Sequence, residues 1–133
     1  MDNSLVVLPV EDEVLMHMVA ADALEDAGFT VLESASAEEA LMLLETRPDV
    51  QVLFTDVNMP GALDGLGLAQ TVHNRSPEIS ILIGSGRIRP GPAELPPGAR
   101  FIAKPYAPSA LTDAVRALAQ GHRGRGEHSM RAL

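Results

Sequence analysis

Short apolar runs and helical stripes alternate along the chain. Residues 5–10, 29–32, 50–55, 79–83 and 101–103 are too short for helices and nearly all apolar, so each predicts a strand. Uniform apolarity, rather than alternation, belongs to strands covered on both faces, as in a parallel sheet. Between the first two runs, Met16, Val19, Ala20, Ala23, Leu24 and Ala27 recur at helical spacing, opposite His17, Asp22, Glu25 and Asp26, and Gly28 marks the stop. Ser36-x-x-Glu39 opens a second helix with a capping-box pattern, and Ala37, Ala40, Leu41 and Leu44 form its apolar stripe up to Arg47-Pro48. Gly65, Leu68, Ala69 and Val72 form a third stripe that ends at Ser76-Pro77. Leu111, Ala114, Val115 and Leu118 form the last, with Pro108 in its first turn and Gly121 as its stop.

Strand–helix alternation of this kind predicts an α/β fold: a doubly wound, five-stranded parallel sheet in the flavodoxin-like order 2-1-3-4-5. One connection breaks the rhythm. Residues 87–99 hold four prolines and two glycines, which cannot sustain an ordinary helix, so a loop with at most one turn near Ala93-Glu94 is expected there. Pro9 inside the first strand removes a ladder donor and predicts a bulge or a weakened strand. Residues 1–120 read as one domain, and 121–133, with no apolar period, read as a disordered tail.

Composition narrows the partners. The chain has 133 residues and a net charge of -8, which argues against a nucleic-acid surface on the main body. No apolar run approaches the ~20 residues of a spanning helix, and the N-terminus lacks a basic lead-in to a signal peptide, so a soluble cytoplasmic domain without a membrane partner is expected. Cysteine is absent, which removes disulfides, thiolate metal sites and cysteine nucleophiles. Aromatics are 3% of the chain, leaving Leu, Val, Ile, Ala and Met to fill the core.

In open parallel sheets, ligands sit beyond the carboxyl ends of the strands, so the residues that end the runs carry most weight. The first run delivers Glu11 and Asp12, the third delivers Asp56, and the fifth delivers Lys104, the sole lysine. Strands one and three lie side by side in this order, so three carboxylates meet and repel unless a cation compensates them. All-oxygen ligands suit magnesium best. Taken singly, Glu11-Asp12-Glu13 is a helix start favoured by the helix dipole, Lys104 a surface lysine, and Ser85 a turn residue within Gly84-Ser85-Gly86. The set at matching strand ends outweighs these readings.

Glu11-Asp12-Glu13, Asp56 with Asn58-Met59-Pro60-Gly61, Ser85-Gly86 and Lys104-Pro105 together resemble the receiver domain of two-component response regulators, over residues 4 to about 120. The resemblance implies that Asp56 is the phosphoacceptor and that Asp12 and Asp56 hold magnesium through carboxylates. It further implies Glu11 as a ligand through water and Asn58 through its backbone carbonyl. Lys104 would pair with the phosphoryl oxygens across a cis Lys104-Pro105 peptide, Ser85 would be the switch hydroxyl, and Phe101 the switch aromatic. The implied partners are a sensor histidine kinase or phosphotransfer protein and a downstream protein reached by protein–protein contact. The implied role is a stoichiometric phosphoacceptor with slow autodephosphorylation, not an enzyme with turnover. The proline-rich connection resembles an atypical subgroup with a reduced fourth helix.

Some residues depart from the pattern. Gly84 stands where a larger residue is usual, which predicts a loose switch strand, and the loop after Pro60 carries an extra residue. Two alternatives follow: a binding module of the same fold that is not phosphorylated, and a small metal-dependent phosphohydrolase suggested by Asp56-x-Asn58. The chain is short for the second, having no segment to serve as a cap.

Overall fold

The computed structural model describes residues 5–57, 63–86 and 95–119. Asn58, Arg87, Arg89, most of the proline-rich connection and the expected 121–133 tail lie outside the described residues. Five parallel strands, β1 (Val6–Val10), β2 (Thr30–Val31), β3 (Val50–Asp56), β4 (Ser80–Ser85) and β5 (Arg100–Ala103), form one sheet in the order β2-β1-β3-β4-β5. The helices are α1 (Val14–Asp26), α2 (Ala37–Thr46), α3 (Gly65–Arg75) and α4, helical over residues 108–119. The flavodoxin-like order read from the alternation is the observed one.

The two faces of the sheet bury separate clusters. Val6, Leu8, Val10, Leu53, Ile81 and Ile83 point toward α2 and α3, while Val7, Val52, Phe54 and Leu82 point toward α1 and α4. Successive side chains on a strand alternate faces and both faces are covered, which is why every position of β1 and β4 is buried and why these runs are mostly apolar. A buried leucine such as Leu8 or Leu53 is worth roughly 2–5 kcal/mol against alanine in such a core.

Local signals set the helix ends. The Ser36 hydroxyl accepts the Glu39 amide at 3.1 Å, and the Glu39 carboxylate accepts the Ala35 amide at 2.9 Å, so the capping box closes one residue earlier than its usual form. Asp64 caps α3 by accepting the Gly67 amide at 2.8 Å. Gly28, at φ +97°, ends α1 in a left-handed conformation that L side chains rarely adopt.

Three expectations are corrected. The β-irregularity in β1 falls between Val6 and Val7, not at Pro9, which pairs in register with Phe54. The reason is directional: Leu5 and Val7 carbonyls accept from Thr30 and Leu32, and the Glu11 amide donates to Ser34 at 3.3 Å. Pro9 therefore presents its missing donor to the β2 side, where regular pairing has stopped, and the β3 ladder is untouched. On α1, Val19 is exposed and Ala21 buried, so the inward seam is rotated toward His17 from the one the stripe suggested. β4 is also not loose at Gly84: it pairs with Asp56 on one side and Ile102 on the other. Between β4 and β5 no helix occurs among the described residues; Ala99 donates to the Pro96 carbonyl in a turn.

Candidate phosphoacceptor site

The carboxyl ends of β1, β3 and β5 meet on one edge. Glu11 leaves β1, Asp56 closes β3, and Lys104 follows β5, placed by the parallel register rather than by nearness in sequence. Glu11, Asp12 and Asp56 each bring a carboxylate oxygen within 4.8 Å of the others. The Lys104 ammonium lies 3.0 Å from Glu11 Oε1 and 3.1 Å from Asp56 Oδ2. Three carboxylates facing one ammonium leave a formal excess of two negative charges, the charge a divalent cation neutralises. The oxygens are hard donors of the type that alkaline-earth ions take.

Burial differs along the cluster. Glu11 is buried, Asp56 is largely so and Asp12 is exposed, so the opening is on the Asp12 side. Burial pushes the Glu11 carboxyl above the ordinary glutamate value, and the neighbouring Asp56 charge adds to this; the hydrogen bond and charge of Lys104 oppose it without cancelling it. Burial by itself pulls the Lys104 ammonium down. The hydrogen bonds and charges of Glu11 and then Asp56 outweigh that, so the ammonium stands above an ordinary lysine. Ser85 is fully buried at the end of β4, and its carbonyl accepts the Lys104 amide at 2.8 Å. Phe101 is half-buried opposite Ile83, and the Lys104-Pro105 peptide is cis, as the resemblance implied. The Asn58 assignment lies outside the described residues.

Other contributors escaped the sequence reading. A Cβ on Gly65 would fall 1.5 Å from the Asp56 carbonyl oxygen, so the start of α3 rests on the backbone of Asp56. The Gly65 amide donates to the Val57 carbonyl at 3.0 Å in the same contact. Gly65 opened the third apolar stripe in the sequence, but no local pattern shows what that position touches. Tyr106 packs edge-on against Phe54, with ring centroids 5.8 Å apart, and burial pushes its phenol up to about 12. Beside Asp12, a cleft of about 260 Å³ runs between α1 and the segment after β2, where His17 Nε2 and Glu33 Oε1 lie 2.6 Å apart.

A five-stranded sheet of this order with an acidic edge and a lysine opposite it defines a receiver-type phosphoacceptor fold. The chain belongs to the response regulator receiver domain family, whose model matches residues 7–116. It is 34% identical over 120 residues to sensor kinase CckA of Brucella abortus (strain 2308), covering 87% of this chain and 13% of that protein. It is also 34% identical over 110 residues to the C4-dicarboxylate transport transcriptional regulatory protein DctD of Rhizobium meliloti (strain 1021), covering 80% of this chain and 24% of that one. The chain thus spans less than a quarter of each of these relatives. Among solved structures, NtrX from Brucella abortus superposes with a TM-score of 0.84 at 26% identity, over 95% of this chain and 29% of that one. A response regulator receiver protein from Sinorhizobium medicae WSM419 shares the fold, with a TM-score of 0.83 at 24% identity over 90% and 98% of the two chains.

Proposed function

We propose that Asp56 accepts a phosphoryl group from a phosphohistidine of a sensor histidine kinase or phosphotransfer protein, and that the phosphorylated domain acts through protein–protein contacts. The observation that carries this reading is the convergence of Glu11, Asp12 and Asp56 on one edge with the Lys104 ammonium between two of them. The Asp56 carboxylate attacks phosphorus, the P–N bond to the donor imidazole breaks, and the imidazole nitrogen keeps the electron pair. No protein base is required, because the nucleophile is already an anion. Magnesium fits the carboxylate set: Asp12 and Asp56 would hold it, with Glu11 through water and the Asn58 carbonyl, and it would supply charge neutralisation for the phosphoryl oxygens. Lys104 exchanges its contact with Asp56 for one with a phosphoryl oxygen, as a compact point charge.

The modified aspartate carries about one to two more negative charges and three acceptor oxygens. In this reading the Ser85 hydroxyl turns toward those oxygens, and Phe101, lacking a hydroxyl, responds by packing. The role is stoichiometric, with slow autodephosphorylation only, and residues 1–120 are taken as the unit that carries it. A cytoplasmic setting follows from a kinase donor. Two findings favour this reading over a pocket that has lost its function: Pro9 leaves the β1–β3 ladder intact, and Gly84 is paired on both sides.

The test is intact-mass spectrometry after incubation with acetyl phosphate, with and without magnesium. One phosphoryl adduct is expected with the metal, none without it, and none in Asp56→Asn. Absence of the adduct from both acetyl phosphate and a phosphorylated kinase panel sinks the proposal; many turnovers of an aryl phosphate would revive the phosphohydrolase alternative.

A further inference from the structure

The arm of Lys104 lies against two glycines of one strand end. A Cβ on Gly86 would sit 3.9 Å from Lys104 Cβ, and a Cβ on Gly84 would sit 3.7 Å from Lys104 Cε. The four-carbon stem thus runs past two positions without side chains, Gly84 within β4 and Gly86 just beyond its end. Neither glycine has a positive φ, so backbone conformation does not require glycine at either; space favours it at Gly84 only. Gly84 is hemmed on its second side by the Phe54 ring, whose Cε1 and Cζ would lie 3.2 and 3.5 Å from an added Cβ. That ring in turn bears on Tyr106, two residues past Lys104.

We infer that Gly84 is a positioning residue: its missing side chain lets Phe54 and the Lys104 stem close on each other, which fixes the ammonium between Glu11 and Asp56. Gly86 lies at the stem's base, where the fit is looser. A long, flexible lysine otherwise has many rotamers, and its charge is useful only in one of them. An alanine at 84 must displace the Phe54 ring by a few tenths of an ångström. The γ-methyls of a valine reach into the volume occupied by Lys104 Cε. The inference rests on the proposed phosphoacceptor role for its consequence, though not for its geometry.

Lys104 is the only lysine in the chain, so its environment can be read without ambiguity. The test measures two rates in the wild type, Gly86→Ala, Gly84→Ala, Gly84→Val and Gly84→Ala/Phe54→Leu: phosphorylation by acetyl phosphate at saturating magnesium, and acylation of Lys104 by an amine-reactive ester, located by peptide mass spectrometry. Misplacement of a positioned group by about 1 Å can cost ~100-fold, so with a shift of a few tenths of that phosphorylation is expected to slow by about threefold in Gly84→Ala, and at least tenfold in Gly84→Val. Acylation of Lys104 should accelerate in the same order as the ammonium leaves its carboxylates. Gly86→Ala should stay within about twofold of wild type in both rates, and Phe54→Leu should return Gly84→Ala to that range by freeing the volume beside it.

A folded Gly84→Val with both rates unchanged overturns the inference. So does a folded Gly84→Ala that is slowed but not restored by Phe54→Leu, since that pattern marks a general structural defect. If Gly84→Val does not fold, the alanine pair decides. If wild type takes no phosphoryl group, the phosphoacceptor reading falls, and the acylation series alone decides whether Gly84 positions the lysine.

Discussion

Lys104 holds together two carboxylates that would otherwise repel. With side-chain exposures of 19% for the lysine, 5% for Glu11 and 13% for Asp56, the group is shielded enough for the pairing to matter and wet enough to weaken it. Losing one partner of a buried pair costs about 3–5 kcal/mol, and partial exposure reduces this to roughly 1–2 kcal/mol for Lys104→Ala at pH 7 without metal. The signs follow from the shifts. Glu11 is raised in the folded state, so the stability it contributes is full below its unfolded value near 4.5 and is lost as pH rises through the folded value. Lys104 is also raised, so its contribution is full below 10.5 and is lost only as pH rises through its higher folded value. Urea unfolding of Lys104→Ala should therefore show its deficit narrowing as pH drops from 7 toward 4.5, because Glu11 takes up the proton that replaces the ammonium. A deficit that stays constant across that window would contradict the coupling.

Among the elements, α3 and β3 meet backbone to backbone at Asp56. Gly65 begins α3 where Asp56 ends β3, and any side chain there collides with a carbonyl rather than with a flexible group. Gly65→Ala is predicted to cost at least about 3 kcal/mol, measured by thermal or urea unfolding, because either the helix or the Asp56 backbone must move. Gly67→Ala in the same helix would meet the terminal methyl of Leu63 at 2.7 Å, a side-chain tip that can turn away, and should cost about 1 kcal/mol or less. Equal effects at the two sites would contradict the close-approach argument. β1 gives a companion contrast. Its proline is tolerated because its missing donor faces β2, whose ladder has only two residues, and not β3.

For the molecule as a whole, the excess negative charge at one edge would couple the binding of a divalent cation to folding. A cation bound at ten times its dissociation constant stabilises the native state by about 1.4 kcal/mol, so magnesium should raise the melting temperature by several degrees in wild type and little in Asp12→Asn. Much of this was legible in the sequence because parallel strands place their carboxyl ends on one edge. Glu11, Asp12, Asp56 and Lys104 could be named from the residues that follow three of the apolar runs. Strand order followed from the alternation, and the capping of α2 from Ser36 and Glu39. What could not be read depends on register and facing. The contact of Gly65 with the Asp56 carbonyl, the Phe54 ring beside Gly84, and the side of β1 on which Pro9 lacks its donor all join residues far apart in sequence. The rotation of α1 that exposes Val19 belongs with them, since His17 turns inward to meet Glu33 beyond β2.

The acceptor assignment is tested most directly by locating the phosphoryl group. Protein treated with acetyl phosphate and magnesium, reduced with borohydride to convert an acyl phosphate into homoserine, and mapped by peptide mass spectrometry should carry homoserine at position 56 alone. Homoserine at Asp12 or another aspartate, hydroxynorvaline at a glutamate, or an adduct that resists borohydride, would contradict the account.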